Sequence, residues 1–263
     1  MQRRSTTVED FWKDLETSLN NLKTDYIDIY QFHNPSFCPK PGDGTGLYEA
    51  MLEAKAQGKI HFIGLTNHRL PVAIEACESG LYDTIQFPFS YLADQKDIDL
   101  VNKCKENNIG FICMKALSGG LINRSDAAYA YLAQFDNVLP IWGIQKESEL
   151  DEFISYQTKA PELTQEIQDL IAHDRKELAG DFCRGCGYCM PCPKGIQINQ
   201  CARMSLMLRR APAASWLNDH WQAEMKKIEE CLNCGKCKQH CPYHLNTPEL
   251  LKKNYEDYKT FLK

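Results

Sequence analysis

The sequence of 263 residues lacks any long apolar run. None approaches the ~18 to 20 residues that a membrane-spanning helix requires, so we expect no membrane association. Residues 1–7 are basic, but they lead into the mixed polar segment VEDFWKD rather than into the apolar core of an export signal. The sequence therefore predicts a cytoplasmic globular protein.

A glycine-rich dinucleotide-binding turn is also missing. No G-x-G-x-x-G pattern occurs anywhere in the chain, whereas an open doubly wound sheet usually carries one in its first turn. This weighs against a complete five-stranded doubly wound domain, which stays open as an alternative fold.

Negative charge dominates only the first part of the chain. The net charge is -5, yet residues 181–263 carry 13 Lys and Arg against 8 Asp and Glu, while residues 1–180 carry 17 against 27. The basic residues of the second part are scattered among cysteines rather than massed with aromatic residues, which disfavours nucleic-acid binding. The asymmetry predicts two domains, the second of which binds an anionic cofactor.

Short β-rich segments alternate with amphipathic helical segments as far as residue 157. After a first helix over 6–23, the predicted strands are 26–33, 60–65, 84–87, 109–114 and 138–144, and the helices are 47–57, 71–79, 95–107, 126–135 and 148–157. Such repeats predict an α/β fold with a parallel sheet. A closed (β/α)8 barrel needs eight strands. We therefore expect a partial barrel that lacks its first three units.

Cysteine carries the densest chemical signal, since nine of the 13 cysteines follow residue 180. Eight of them form the runs C-x2-C-x2-C-x2-C-P at 183–193 and C-x2-C-x2-C-x3-C-P at 231–242. Such a triplet can hold three corners of a [4Fe–4S] cube, and a distant Cys-Pro supplies the fourth corner. We expect two clusters, one on Cys183, Cys186, Cys189 and Cys241 and one on Cys231, Cys234, Cys237 and Cys192.

Zinc and disulfides are the alternatives for these cysteines. Zinc sites usually take cysteines in separated pairs, and disulfides need an oxidising compartment. The exchange of fourth ligands stays open, because the first run has two residues rather than three before its last cysteine. The 38 residues between Cys192 and Cys231 have helical periodicity, so we expect a helical domain in which Cys201 belongs to the core.

Three segments of the first part resemble the aldo/keto reductase superfamily: LKTDYIDIYQFHNP at 22–35, GKIHFIGLTN at 58–67 and MKALSGG at 114–120. The segment CGYCMPCP at 186–193 is similar to a ferredoxin-like extension of a bacterial and archaeal subgroup. The resemblance implies strands four to eight of a TIM barrel at 1–160, a connecting helix at 161–180 and an α-helical dicluster ferredoxin domain at 181–263. It also implies an oxidoreductase that acts on a small-molecule carbonyl with NAD(P)H.

The resemblance further implies which residues form the site. His33 matches the catalytic histidine that orients the substrate, whereas the family's catalytic tyrosine, lysine and aspartate find no match in this sequence. Thr66, Asn67 and Gln86 match contacts to the nicotinamide carboxamide. The positions matched to the cofactor-binding loops after the last two strands are Lys115, Leu117, Gly119 and Lys146.

Three functions stay open at this point. One is an iron–sulfur oxidoreductase in which electrons pass between the barrel mouth and the clusters, and then to a ferredoxin or flavodoxin partner. Another is a non-enzymatic electron-transfer module whose half barrel docks a redox partner. The third is a zinc-stabilised interaction protein.

Overall fold

The computed structural model describes residues 7–178, 182–210 and 213–262, with only the main chain at Arg210. The chain forms two compact units. The first comprises the chain up to Phe89, Ala93–Met114 and Phe135–Ile141, and the second comprises Ser90–Leu92, Lys115–Gln134 and the chain from Trp142 onward. The boundary predicted at residue 160 therefore lies inside the second unit, which includes the segment after the fourth strand.

A five-stranded parallel sheet forms the centre of the first unit. Its strands are β1 (Ile27–His33), β2 (Ile60–Thr66), β3 (Thr84–Pro88), β4 (Gly110–Met114) and β5 (Val138–Pro140). They pair in chain order, β1-β2-β3-β4-β5. Sequential order is how a barrel sheet winds, whereas a doubly wound sheet reverses its order. The predicted α/β class with a parallel sheet is confirmed.

Four helices alternate with these strands: α1 (Val8–Leu22), α2 (Leu47–Ala56), α3 (Leu70–Ser79) and α4 (Gln95–Glu106). The first shows why they form. The Thr7 hydroxyl caps α1 by accepting from the N–H of Asp10 at 3.1 Å. Phe11, Leu15 and Leu19 are buried at helical spacing on one face, which packs the helix onto the core.

The fifth strand is shorter than predicted. It ends at Pro140 rather than at residue 144, because the chain from Trp142 onward belongs to the second unit. The N–H of Ile141 still donates to the carbonyl of Cys113 at 2.8 Å. Beyond that bond the apolar stretch no longer pairs with β4.

The second unit is helical, and no strand occurs among its described residues. Its helices are α5 (Ser125–Leu132), α6 (Glu147–Ser155), α7 (Gln165–Glu177), α8 (Ile198–Cys201), α9 (Met204–Arg210), α10 (Asp219–Lys226), α11 (Lys236–Gln239) and α12 (Thr247–Thr260). Cys201 is fully buried in its core beside Ile196 and Met204, and burial raises the pKa of the Cys201 thiol to about 12. In the described ranges, no helix combines the length and apolarity required to span a bilayer.

Candidate functional site

Polar side chains form one row at the carboxyl ends of the first three strands. The sheet register aligns His33 with Thr66, and Thr66 with Gln86. Aligned residues of parallel strands point to the same face of a sheet, so these three predicted site residues lie side by side. The row continues through Ile112 and Leu139 on β4 and β5. Thr66 is buried, while His33 and Gln86 are half-buried.

Asn67, which follows this row, is fully buried and is used by the protein itself. Its Oδ1 accepts from the main-chain N–H groups of His68 at 2.9 Å and Arg69 at 2.8 Å, and its Nδ2 donates to the carbonyl of Pro35 at 2.9 Å. These bonds fasten the start of α3 to the loop after β1. One N–H of the amide is left for a ligand, and the carboxamide contact of Asn67 stays a prediction.

Asn34 is a candidate residue that the sequence alone does not single out. It is fully buried with a left-handed φ of 48°, and its main-chain N–H donates to the carbonyl of Thr66 at 2.7 Å. Its Nδ2 is buried and has no acceptor in the part of the chain that the structure describes. A buried donor of this kind can serve a polar ligand. The sequence does contain one signal that could have identified it. An asparagine directly follows a predicted strand, and asparagine tolerates left-handed backbone better than most residues.

Lys115, Leu117 and Gly119 lie in a compact turn after β4 that belongs to the second unit. Lys115 has a φ of 60°, and its carbonyl accepts from the N–H of Ser118 at 2.7 Å. The carbonyl of Gly119 accepts from Nη2 of Arg203. The turn is therefore held in place by the cysteine-containing part of the chain.

Lys146 is exposed and immediately precedes α6. The main-chain N–H groups of Gln145 and Lys146 donate to Oε2 of Glu149, at 2.8 and 3.3 Å. A helix N-terminus attracts anions, but here a carboxylate of the helix itself occupies two of the donors. A cofactor phosphate bound at Lys146 would have to compete with Glu149.

The eight cysteines of the two sequence runs all lie in the second unit. One cavity is lined by five of them, Cys189, Cys192, Cys231, Cys234 and Cys237. Burial together with the charges of Cys183, Cys186 and Cys241 raises the pKa of Cys189 to about 12. Burial and the Cys241 charge also raise the pKa of Cys186.

Cationic side chains lie beside these cysteines. Lys194 and Lys236 line the cavity, and the Arg184 guanidinium lies 4.4 Å from the ring centroid of Tyr243 and 4.9 Å from that of Phe182. No three His, Cys, Asp or Glu side chains in the described ranges converge as donors to a single metal ion. Partly buried cysteines flanked by cations suit anionic thiolate-bound iron–sulfur clusters, and the assignment of four cysteines to each of two clusters stays a prediction.

Two protein families match this chain. The aldo/keto reductase family matches residues 1–138, and the 4Fe-4S dicluster domain matches residues 182–246. Methylglyoxal reductase DkgB of Salmonella typhi is 38% identical over 104 residues, which cover 35% of this chain and 38% of that protein. The NADH-specific methylglyoxal reductase of Escherichia coli (strain K12) is 29% identical over 119 residues, which cover 45% of this chain and 36% of that protein.

The chain thus spans less than two fifths of the length of these curated relatives. Among solved structures, the aldo-keto reductase AKR11C1 from Bacillus halodurans, in its apo form, has a TM-score of 0.53 at 20% identity. The match covers 64% of this chain and 68% of that chain, and it supports the fold alone. Because the family match covers more than half of its residues, the chain belongs to the aldo/keto reductase family and carries a 4Fe-4S dicluster domain.

Proposed function

We propose that this chain is an oxidoreductase that exchanges electrons between NAD(P)H and two [4Fe–4S] clusters. Cys183, Cys186, Cys189 and Cys241 would hold the first cluster, and Cys192, Cys231, Cys234 and Cys237 the second. The observation that carries the proposal is that cysteines of both runs, among them Cys192, Cys231, Cys234 and Cys237, line one cavity together. When bound, such clusters accept and donate single electrons at potentials set by nearby charge and hydrogen bonds.

The row at the strand ends supplies groups that suit a nicotinamide. Thr66 and Gln86 offer a hydroxyl and an amide to the carboxamide, and Asn34 adds a buried N–H donor at the same edge. Oxidation of the bound cofactor would release two electrons and one proton, so that each of the two clusters would take one electron and the proton would pass to solvent. The turn that contains Lys115, Leu117 and Gly119 is the candidate phosphate site, in preference to Lys146, whose neighbouring amides are already paired.

The substrate class that we propose for this site is a small carbonyl, because two of the relatives are named as methylglyoxal reductases. His33 stands next to Thr66, where its imidazole can orient a carbonyl oxygen. The family's catalytic tyrosine, lysine and aspartate have no match in these 263 residues. For the residues given, we propose binding of the carbonyl at this row and electron transfer between the cofactor and the clusters.

An anaerobic preparation of the full chain tests the proposal. We expect about eight iron and eight sulfide per chain and bleaching of the visible absorbance when NADH or NADPH is added. Gln86→Ala should raise the NAD(P)H concentration needed for half-bleaching while the iron content stays the same. Gln57→Ala, which removes an exposed amide of the same type, should match the wild type. A preparation that holds zinc instead of iron would overturn the proposal.

A second candidate is an electron-transfer module that serves a partner protein of the ferredoxin or flavodoxin class. Leu232, between the ligand candidates Cys231 and Cys234, is 61% exposed at the wall of the cysteine cavity. An exposed leucine beside a redox centre suits docking of a partner. If a reduced ferredoxin reduces the clusters and NAD(P)H leaves them oxidised, this function is favoured over the first.

A further inference from the structure

Arg203 is a buried cation that the proposed function leaves unused. Its side chain is 5% exposed and immediately precedes α9. One terminal nitrogen, Nη2, donates to the carbonyl of Gly119 and lies 3.0 Å from the sulfur of Met207. The other, Nη1, lies against two glycines. A Cβ on Gly119 would be 2.9 Å from it, and a Cβ on Gly185 would be closer still.

The third nitrogen of the guanidinium has no acceptor. Nε of Arg203 is buried without a hydrogen-bond partner among the described residues, which is an unfavourable position for a charged donor. Gly185, against which the guanidinium lies, donates its main-chain N–H to Sγ of Cys183 at 3.4 Å. The guanidinium thus lies beside the residue between Cys183 and Cys186, and its Nε–H is unused among the described residues.

We propose that Arg203 donates its Nε–H to a sulfur of the first cluster and thereby raises the reduction potential of that cluster. This inference deepens the proposed function and rests on it. Gly185 stands between the ligand candidates Cys183 and Cys186, and only a residue without a side chain lets the guanidinium approach there. Through Nη2 the same side chain also holds the turn at Gly119.

The direction of the effect follows from the charges. A thiolate-bound cluster is anionic, and reduction adds a further negative charge, so a nearby cation stabilises the reduced form more than the oxidised form. Burial strengthens the interaction, because the effective dielectric constant is lower there than in water. Removal of the positive charge should therefore shift the potential of the first cluster to more negative values.

Redox titration followed by EPR measures this directly on the anaerobic full chain. Arg203→Met removes both the charge and the N–H. At a fixed potential, the ratio of oxidised to reduced first cluster should rise tenfold or more in this variant. A tenfold rise corresponds to a reduction potential that is 59 mV more negative for a one-electron couple. Arg203→Lys keeps the charge but has no Nε–H, so we expect a smaller shift in the same direction. The second cluster should titrate unchanged and serves as an internal reference.

Two further variants separate charge from position. Gly119→Ala keeps the arginine but places a methyl group 2.9 Å from Nη1, and we expect a shift smaller than that of Arg203→Met. Arg209→Gln removes an exposed guanidinium on α9 that pairs with Asp257 at 2.6 Å. This control should leave both potentials at their wild-type values.

The outcomes distinguish the inference from the function on which it rests. Unchanged potentials in Arg203→Met with full iron content would overturn the inference. If Arg203→Met fails to hold iron, Arg203→Lys and Gly119→Ala carry the test, and wild-type potentials in both would overturn it. A wild-type chain that never holds iron would overturn the proposed function instead.

Discussion

The main-chain N–H of Asn67 donates to the carbonyl oxygen of Gln86 at 3.0 Å, one residue beyond the end of β2. On the other side of the same strand, the N–H of Asn34 donates to the carbonyl of Thr66 at 2.7 Å. These two bonds continue the parallel ladder past the strand ends. The side-chain row that contains His33 is therefore positioned by main-chain bonds on both sides of β2.

Asn67→Ala should destabilise the first unit, because it removes the acceptor for the N–H groups of His68 and Arg69 and the donor to Pro35. We expect the free energy of unfolding to fall by about 1 to 3 kcal/mol, measured by urea denaturation followed by circular dichroism. Asn20→Ala, at an exposed position of α1, is the control. A loss no larger than about 0.5 kcal/mol, as at ordinary surface sites, would argue against this role.

Gly64 on β2 and Gly110 on β4 both pair with Thr84 on β3, the strand between them. They therefore offer a matched pair of substitutions. A Cβ on Gly64 would collide with Oγ1 of Thr84 and lie 2.8 Å from Cγ of Gln31, whereas a Cβ on Gly110 would lie 3.5 Å from Cγ2 of Thr84. Gly64→Ala should cost about 1 to 3 kcal/mol through overpacking. Gly110→Ala makes only ordinary contact and should cost clearly less. Equal urea midpoints for the two variants would contradict the expectation.

The secondary structure of the first unit could be predicted because its signals are local. β-Rich runs and helical apolar spacing placed β1 to β4 within one residue at each end. The fifth strand was predicted too long, since the stretch after Pro140 stays apolar while it no longer pairs. Pairing depends on a neighbouring strand, which a local pattern does not contain.

The candidate site was less predictable where its residues depend on distant contacts. The spacing within each cysteine run is local, so the ligand candidates can be recognised from sequence. Arg203 contacts Gly119, which lies 84 residues away along the chain, and it carries no motif of its own. Asn67 matches a family motif, yet its side-chain amide mostly bonds to main-chain groups of the protein itself, including that of Pro35, 32 residues away, and only the structure reveals these bonds.

The exchange of fourth ligands between the two cysteine runs can be tested by comparing residual EPR spectra. Cys241→Ser and Cys183→Ser should both lose the first cluster, so the EPR spectrum that remains should be the same in both. Cys192→Ser and Cys231→Ser should likewise share one remaining spectrum, that of the first cluster. In each variant the iron content should fall from about eight toward four per chain. Cys201→Ala, which changes the buried core cysteine, should keep the full iron content. If Cys192→Ser resembles Cys183→Ser, each run supplies its own fourth ligand.

Tyr91 and Asp174 form a buried pair within the second unit that anchors α7. The Tyr91 hydroxyl donates to Oδ2 of Asp174, and the residues are 0% and 4% exposed. Tyr91→Phe should lower the free energy of unfolding by about 1 to 3 kcal/mol, because a buried carboxylate loses a donor. Asp174→Asn in the Tyr91→Phe background should recover part of the loss, and Tyr129→Phe is the control. An unchanged urea midpoint in Tyr91→Phe would refute the prediction.

The row from His33 through Thr66 and Gln86 to Leu139 has an evolutionary consequence. Backbone hydrogen bonds hold its members at one level of the sheet, so the identity of each side chain matters little to the architecture. Substitutions at these positions can change which ligand the site binds or which reaction it supports, while the fold stays the same. In this way one fold comes to host many activities.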